Sequence, residues 1–134
     1  MTVIRLPYPP STNHLFGSHG GGRHRTRAYN AWIAEALWEV KRQNPPATDG
    51  KYTIIINARR PDTRRRDLGN LEKPISDLLV KAGLIRDDCD AQAIRLEWSL
   101  LPPGEPYVTV TITPWTDQAE THLAAAQRYV ENAA

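Results

Sequence analysis

The fold is decided by a stretch that begins YTIIINA at residues 52–58 and continues RRPDTRRRD at residues 59–67. Apolar residues at alternate positions of the first segment predict a β-strand, and Ile55 is apolar on the opposite face, which indicates a strand buried on both sides. The spacing of apolar residues after the basic segment is helical. We place the start of this helix near Asn70, because Pro74 is tolerated only in a first turn. A buried strand, a basic loop and a helix therefore follow one another at the centre of the chain.

Patterns on both sides of this stretch complete the predicted secondary structure. They predict a strand at 3–6, a mobile glycine-rich loop at 11–26, a helix at 27–43, an antiparallel hairpin with strands at 94–100 and 108–113, and a last helix at 117–132. The hairpin is inferred from alternating apolar residues on both sides of a Pro-Pro-Gly turn. The simplest packing is an α+β fold, in which a single domain has a small mixed β-sheet of about four strands covered by helices.

The composition is that of a globular chain and excludes several classes of protein. With 134 residues, 40% hydrophobic and 24% charged, the chain is long enough for one domain with a core and is not generally disordered. No apolar run approaches the roughly 20 residues of a membrane span, so no membrane partner is expected. Cys89 is the single cysteine, which excludes an internal disulfide and is typical of the reducing cytoplasm. The net charge of +2 does not by itself indicate a polyanionic partner.

Charge is concentrated in one part of the sequence, where we expect the chemistry. Residues 59–66 contain five arginines and one aspartate. A single guanidinium group can bind two phosphate oxygens at once. The run leads into Asp67 and the helix that carries Lys73, and the acidic pair Asp87 and Asp88 precedes the next strand. Carboxylates among arginines suggest a divalent metal site that meets a phosphate. The alternative is a solvated charged loop, with an aspartate cap at the helix and a turn at the acidic pair.

The segment PPSTNHLFGSHGGGRHRTR, residues 9–27, is a second candidate for binding a phosphate backbone. Its prolines fix a bend near Asn13, and its glycines allow an arginine-bearing arm to move. Such an arm is suited to clamping a nucleic-acid backbone. A surface loop without a ligand is an equally good interpretation of the composition.

Three stretches of the chain are similar, in order and separation, to the motifs of a known family. They are LPYPPSTN (6–13), RRRDLGNLEKPISDLLVKAG (64–83) and LIRDDCDAQAIRLEW (84–98). They correspond to a Pro-Pro-x-x-Asn opening, an Arg-rich loop followed by Asp-Leu-Asp-Asn-x-x-Lys and a helix, and an Asp-Asp pair before a strand. On these motifs the chain resembles the RusA family of Holliday-junction resolvases, small dimeric endodeoxyribonucleases common in bacteria and prophages. The likeness covers about residues 2–113, so we expect a RusA-like nuclease domain at 1–114 and a helical extension at 115–134.

The resemblance implies the site residues and their partners. Asp67, Lys73 and Asp88 would be catalytic, and Asp67 and Asp88 would bind Mg²⁺, for which Mn²⁺ can substitute, with Asp87 as a further ligand candidate. The residues that would bind DNA are Arg23, Arg25, Arg27, Arg64, Arg65, Arg66 and Asn13. The expected substrate is four-way branched DNA, cut on paired strands by a homodimer whose two-fold symmetry matches that of the junction.

Gly69 departs from the family pattern, because it stands where the family has its second aspartate. Glycine offers no oxygen to a metal, and Glu72, Asp87 and Asp90 are the nearby acids that can substitute for the missing side chain. One alternative to an active resolvase follows from this departure, a junction-binding protein that is weak or silent in catalysis. The modest net charge leaves a second alternative, an interaction module whose charges are merely solvated.

Overall fold

A computed structural model describes residues 1–19, 22–115, 126–128 and 130–132, without the side chain of His19. The strands are β1 (Thr2–Pro7), β2 (Phe16–His19), β3 (Gly22–Arg25), β4 (Tyr52–Ala58), β5 (Ala91–Trp98) and β6 (Tyr107–Pro114), and the helices are α1 (Arg27–Gln43) and α2 (Glu72–Lys81). Short 3₁₀ turns occupy Thr12–His14, Leu68–Leu71 and Asp88–Asp90. The predicted α+β fold with a small mixed sheet and covering helices is confirmed.

The main sheet has the strand order β1-β6-β4-β5, and β2 pairs with β3 in a separate hairpin. β6 runs antiparallel to both β1 and β4, whereas β5 runs parallel to β4. The register places Ile54 opposite Ile112 on one side and Ile94 on the other. Parallel neighbours need a crossover connection, and residues 59–90 provide it. The predicted antiparallel hairpin of the last two strands is therefore wrong, since β6 inserts between β1 and β4.

The core lies on one face of the sheet. Ile56 of β4 and Val110 of β6 are fully buried there, together with Ile75 and Leu79 of α2. Ile55 points to the other face and is 36% exposed. The expectation that β4 is buried on both sides is therefore wrong, because the helices pack against one face only.

β5 is less buried than its alternating pattern predicts. Ile94 is 47% exposed, and Leu100 lies beyond the strand with its side chain fully in solvent. β5 is the edge strand, and the core packs against Leu96 and Trp98 in its second half. Alternation predicts the strand correctly, but it does not show how far the helical layer reaches across the sheet.

The prediction of a loop at 11–26 is also wrong, because β2 and β3 pair antiparallel within this segment. The guanidinium of Arg23 lies over the ring of Phe16, 3.9 Å from its centroid. The side chain of Thr26 then accepts a hydrogen bond from the Tyr29 amide at 3.1 Å and caps α1. The described residues of the basic arm thus include two paired strands, the second of which leads directly into a helix.

The C-terminal part of the chain is described only in pieces. Most of the predicted helix at 117–132 lies outside the described residues, while 126–128 and 130–132 are helical. The division of the chain near residue 114 stays a prediction. In the parts of the chain that the structure covers, no helix has the length and apolar character needed to cross a membrane.

Ile56→Ala should lower the free energy of unfolding by about 2–5 kcal/mol, because it leaves a cavity in the fully buried face of β4. Ile55→Ala, on the exposed face of the same strand, is the control and should cost less than about 1 kcal/mol. Urea unfolding at equilibrium measures both variants. Equal losses would contradict a core that lies on one face of the sheet.

Candidate active site

A cleft of about 620 Å³ lies at the edge of the sheet where β1 and β4 end. The two ends meet because both strands run antiparallel to β6. The proline segment after β1 and the arginine loop after β4 both contribute to its walls. The lining residues include Tyr8, Pro9, Pro10, Ser11, Asn13, His14, Pro61, Arg64, Arg65, Arg66, Asp67, Asn70 and Leu71. The fold thus joins two motifs that the sequence presents as separate candidates.

Asp62 holds two of the cleft arginines in place. Its carboxylate accepts hydrogen bonds from Arg64 Nε at 3.0 Å and from Arg66 Nη2 at 2.8 Å, and it also accepts one from the Arg64 amide at 3.0 Å. The hydrogen bonds from Arg66, and then those from Arg64, hold the pKa of Asp62 well below its usual range. The two guanidinium groups are therefore positioned in the free protein.

A second, shallower depression contains the predicted Lys73 and Asp88, and Arg25 and Asp77 also line it. Lys73 Nζ lies 3.0 Å from Asp77 Oδ1 and 3.7 Å from Asp88 Oδ2. The hydrogen bond to Asp77 raises the pKa of Lys73, and the charge of Asp88 adds to this effect. Lys73 therefore stays protonated beside Asp88, and Asp77, four residues later on α2, holds it in place.

Further acids lie around the start of β4. Burial raises the pKa of Tyr52 to about 12, and the charges of Asp88, Glu72 and Asp90 contribute to this rise. Asp90 is itself engaged, because Arg86 Nη2 lies 3.1 Å from its Oδ1 atom. All three acids therefore act on Tyr52, but Asp90 is paired with Arg86 and Asp88 lies beside Lys73.

Asp67 and Asp87 both cap short turns. Asp67 Oδ1 accepts a hydrogen bond from the Gly69 amide at 3.1 Å, and Asp87 Oδ1 accepts one from the Cys89 amide at 2.9 Å. These contacts are the cap and turn that the sequence analysis gives as the alternative to a metal site. A carboxylate has two oxygens with several lone pairs, so capping and metal binding are compatible.

The space at position 69 is adjacent to Asp67. A Cβ atom placed on Gly69 would lie 3.4 Å from Asp67 Oδ1 and would meet no other group of the described residues within 4 Å. An aspartate at this position would therefore bring a second carboxylate beside the first. Gly69, which stands where the resemblance leads us to expect an aspartate, therefore leaves space beside Asp67, and no other side chain fills it among the described residues.

The predicted catalytic residues fall in two separate depressions of the surface. Asp67 lines the cleft, whereas Lys73 and Asp88 line the depression, and the 3₁₀ turn Leu68–Leu71 with the start of α2 links them. Among the residues that the structure describes, no group of three or more His, Cys, Asp or Glu side chains is arranged to hold a metal ion. A metal ion shared by Asp67 and Asp88 therefore stays a prediction.

The predicted DNA-binding residues divide in a similar way. Those that line the cleft are Asn13, Arg64, Arg65 and Arg66, and Arg25 reaches the depression with Asp88. Arg23 packs on an aromatic ring of its own hairpin, and Arg27 begins α1. The hairpin thus contributes one of its arginines to the neighbourhood of the acids.

Sequence analysis did not identify Tyr8, Asp62 and Asn70, which all contribute to the cleft or its walls. Asp62 had a detectable pattern, because arginines follow it at the second and fourth positions. Tyr8 and Asn70 are next to quoted motifs, but nothing in their spacing indicates that they share a cavity. Only the meeting of β1 and β4 at one edge brings them together.

Residues 7–113 match the model of the family described as Endodeoxyribonuclease RusA. The chain is 35% identical over 96 residues to the crossover junction endodeoxyribonuclease RusA of Escherichia coli strain K12, covering 69% of this chain and 78% of that protein. It is 33% identical over 87 residues to the protein of the same name from Aquifex aeolicus, covering 64% and 68%. It is 31% identical over 102 residues to that of Enterobacteria phage HK97, covering 74% and 83%.

Arg66→Gln should raise the pKa of Asp62 toward that of an ordinary aspartate, because the hydrogen bond from Arg66 is the largest cause of the lowered value. In the parent protein, the contacts of Asp62 persist above its lowered pKa and are lost as the pH falls through it. In the variant they should be lost at a higher pH. Carboxyl NMR titration measures this, and Arg42→Gln on α1 is the control. An unchanged pKa in Arg66→Gln would contradict the assigned contact.

Proposed function

The chain belongs to the RusA family of endodeoxyribonucleases, and from this premise we propose that it resolves four-way DNA junctions by metal-dependent hydrolysis of paired phosphodiesters in a homodimer. The observation that supports this most is that one short connection, the 3₁₀ turn Leu68–Leu71 and the start of α2, links Asp67 in the arginine cleft to the protonated Lys73 beside Asp88. Phosphate binding and hydrolysis need these groups near one another. Family membership also removes the alternative of an interaction module whose charges are only solvated.

The arginines are assigned to the DNA backbone. Arg64 and Arg66 are held in place by Asp62, and the exposed Arg65 lines the same cleft. Guanidinium groups that are already positioned lose little freedom when they bind a phosphate. Each phosphate that they neutralise should steepen the dependence of log affinity on log salt by about 0.9.

Asp67 and Asp88, with Asp87 as a further candidate, are proposed to hold Mg²⁺ or Mn²⁺. These are oxygen donors, which hard divalent cations prefer, and a site with few protein ligands suits Mg²⁺ because it keeps several waters. The space beside Asp67 at position 69 fits the same interpretation. When bound, the metal would supply a Lewis acid for the phosphate and activate the attacking water.

Lys73 is proposed to offset the negative charge that develops on the phosphate oxygens. Its hydrogen bond to Asp77 keeps it protonated and fixes its direction. Asp77 therefore acts as a positioning residue, and Lys73 as the group that meets the phosphate. Arg25 lines the same depression and adds positive charge to the path of the DNA strand.

The homodimer is part of the proposal because a four-way junction is cut on two strands. A two-fold dimer presents two equivalent sites, which match the approximate symmetry of the junction. We also propose a cytoplasmic location, where the single cysteine stays reduced and DNA junctions are accessible. Neither the contacts of the described residues nor the relatives favour a catalytically silent junction binder.

Asp88→Asn should reduce cleavage of a labelled four-way junction on the order of 100-fold or more, because it removes a charged ligand and the partner of Lys73. Glu35→Gln, on the exposed side of α1, is a control of matched charge change and should cut like the parent. Mixed dimers with one Asp88→Asn subunit should nick one strand only. Paired cuts by such mixed dimers, or full activity of Asp88→Asn, would remove this residue from the site.

Gly69→Asp should bind Mg²⁺ and Mn²⁺ more tightly than the parent, on the order of tenfold, because it adds a carboxylate beside Asp67 in open space. Gly69→Asn is the control, since it has nearly the same shape without the charge. Calorimetric titration of each metal measures the affinity without any cleavage. Equal metal binding by Gly69→Asp and Gly69→Asn would show that position 69 is not next to the ion.

A further inference from the structure

We propose that the cleft between the proline segment and the arginine loop holds one unstacked nucleotide of the DNA, with its base against Tyr8 and the prolines and its phosphate against the arginines. The inference rests on the proposed function and deepens it, since it assigns a subsite for a base next to the cut. The cleft measures about 620 Å³, which is within the range of pockets that hold small ligands.

The walls near the proline segment suit the face of a base. Tyr8, Pro9, Pro10 and Pro61 all line the cleft, and bases stack on flat aromatic and apolar surfaces. The Tyr8 ring is supported from behind, because it packs against the hydrophobic core. This part of the cleft is therefore a firm apolar surface rather than a collapsible gap.

Polar groups with both donors and acceptors line the same cavity. Asn13 and Asn70 contribute side-chain amides, which match the hydrogen-bonding edges of bases. His14 is held by Ser11, with His14 Nδ1 and Ser11 Oγ 2.7 Å apart. A lining of apolar side chains with a few polar groups is the usual composition of a specific ligand site.

The arginines and Asp67 define the phosphate end of the cleft. Arg64 and Arg66 are held by Asp62, and Asp67 lines the same wall. A nucleotide whose base contacts Tyr8 would have its phosphate among these guanidinium groups and close to Asp67. The subsite would therefore position the chain for cleavage as well as bind it.

A base can enter this cleft only if it leaves the helical stack. Leaving the stack costs several kcal/mol in a duplex and less where pairing is already disturbed, as at the centre of a junction. The cleft would consequently favour branched over linear DNA. By binding an unstacked base, the cleft would thus itself select junctions over linear duplexes.

The test asks whether the effect of a protein substitution on binding depends on the presence of one base of the DNA. Binding is measured in EDTA, so that no cleavage occurs. A series of four-way junctions is prepared, each with one abasic site at a different nucleotide near the centre. Gel shift then measures the affinity of each junction for the parent protein and for Tyr8→Leu, Tyr8→Phe and Tyr107→Leu. Tyr107 is the matched control, since its ring lies under Arg5 in a different depression. Tyr8→Leu keeps apolar volume against the core, and Asn70→Ala, in an exposed turn, is a second cleft variant that does not disturb the core.

At one position we expect loss of the base to weaken binding by the parent about 5- to 150-fold, which is the usual effect of losing one base–aromatic stack. Tyr8→Leu and Asn70→Ala should be much less sensitive to the same abasic site, whereas Tyr8→Phe and Tyr107→Leu should behave like the parent. Effects of protein and DNA changes that simply add at every position would overturn the subsite. If the parent protein then still cuts junctions with Mg²⁺, the proposed function stands without the base subsite. If the parent protein neither cuts nor prefers junctions, the subsite and the proposed function both fail.

Discussion

The parallel pairing of β4 with β5 is the constraint on which the rest of the structure depends. Parallel neighbours cannot be joined by a tight turn. Residues 59–90 must therefore run from the carboxyl end of β4 back to the opposite end of the sheet, where β5 begins. The arginine loop is therefore at the carboxyl end of β4, and Asp88 is at the start of β5. The crossover between them includes Asp67 and Lys73, so the three proposed catalytic residues all belong to one connection.

Much of this arrangement could be predicted from residues, because its signals are local. Periodicity gave α1 with its observed bounds, and Pro74 correctly limited where α2 could start, after a 3₁₀ turn. The order of strands was not predictable in this way. The Pro-Pro-Gly turn indicated a hairpin between the last two strands, but β6 pairs with β1 and β4 instead. The exposure of Ile94 follows from that order, since an edge strand lies at the limit of the helical layer.

The candidate site shows the same division. Asp67, Lys73 and Asp88 were expected from the resemblance of their motifs to those of the family, and the contact of Lys73 with Asp88 is present in the structure. The role of Asp62 and the joining of Tyr8 to the arginine loop depend on the third dimension, because β1 and β4 end at the same edge only through β6. Cationic groups are thereby held by internal acids: Arg66 by Asp62, and Lys73 by its neighbours on α2 and at Asp88.

The central claim is that Asp67 and Asp88 contribute to one metal site, and paramagnetic broadening by Mn²⁺ tests it most directly. With trace Mn²⁺ added to isotope-labelled protein, the account predicts that the backbone amide signals near both residues broaden at the same metal concentration. In Asp88→Asn both sets should require more metal. Broadening confined to one of the two segments, with the other unaffected at every concentration, would contradict a shared ion.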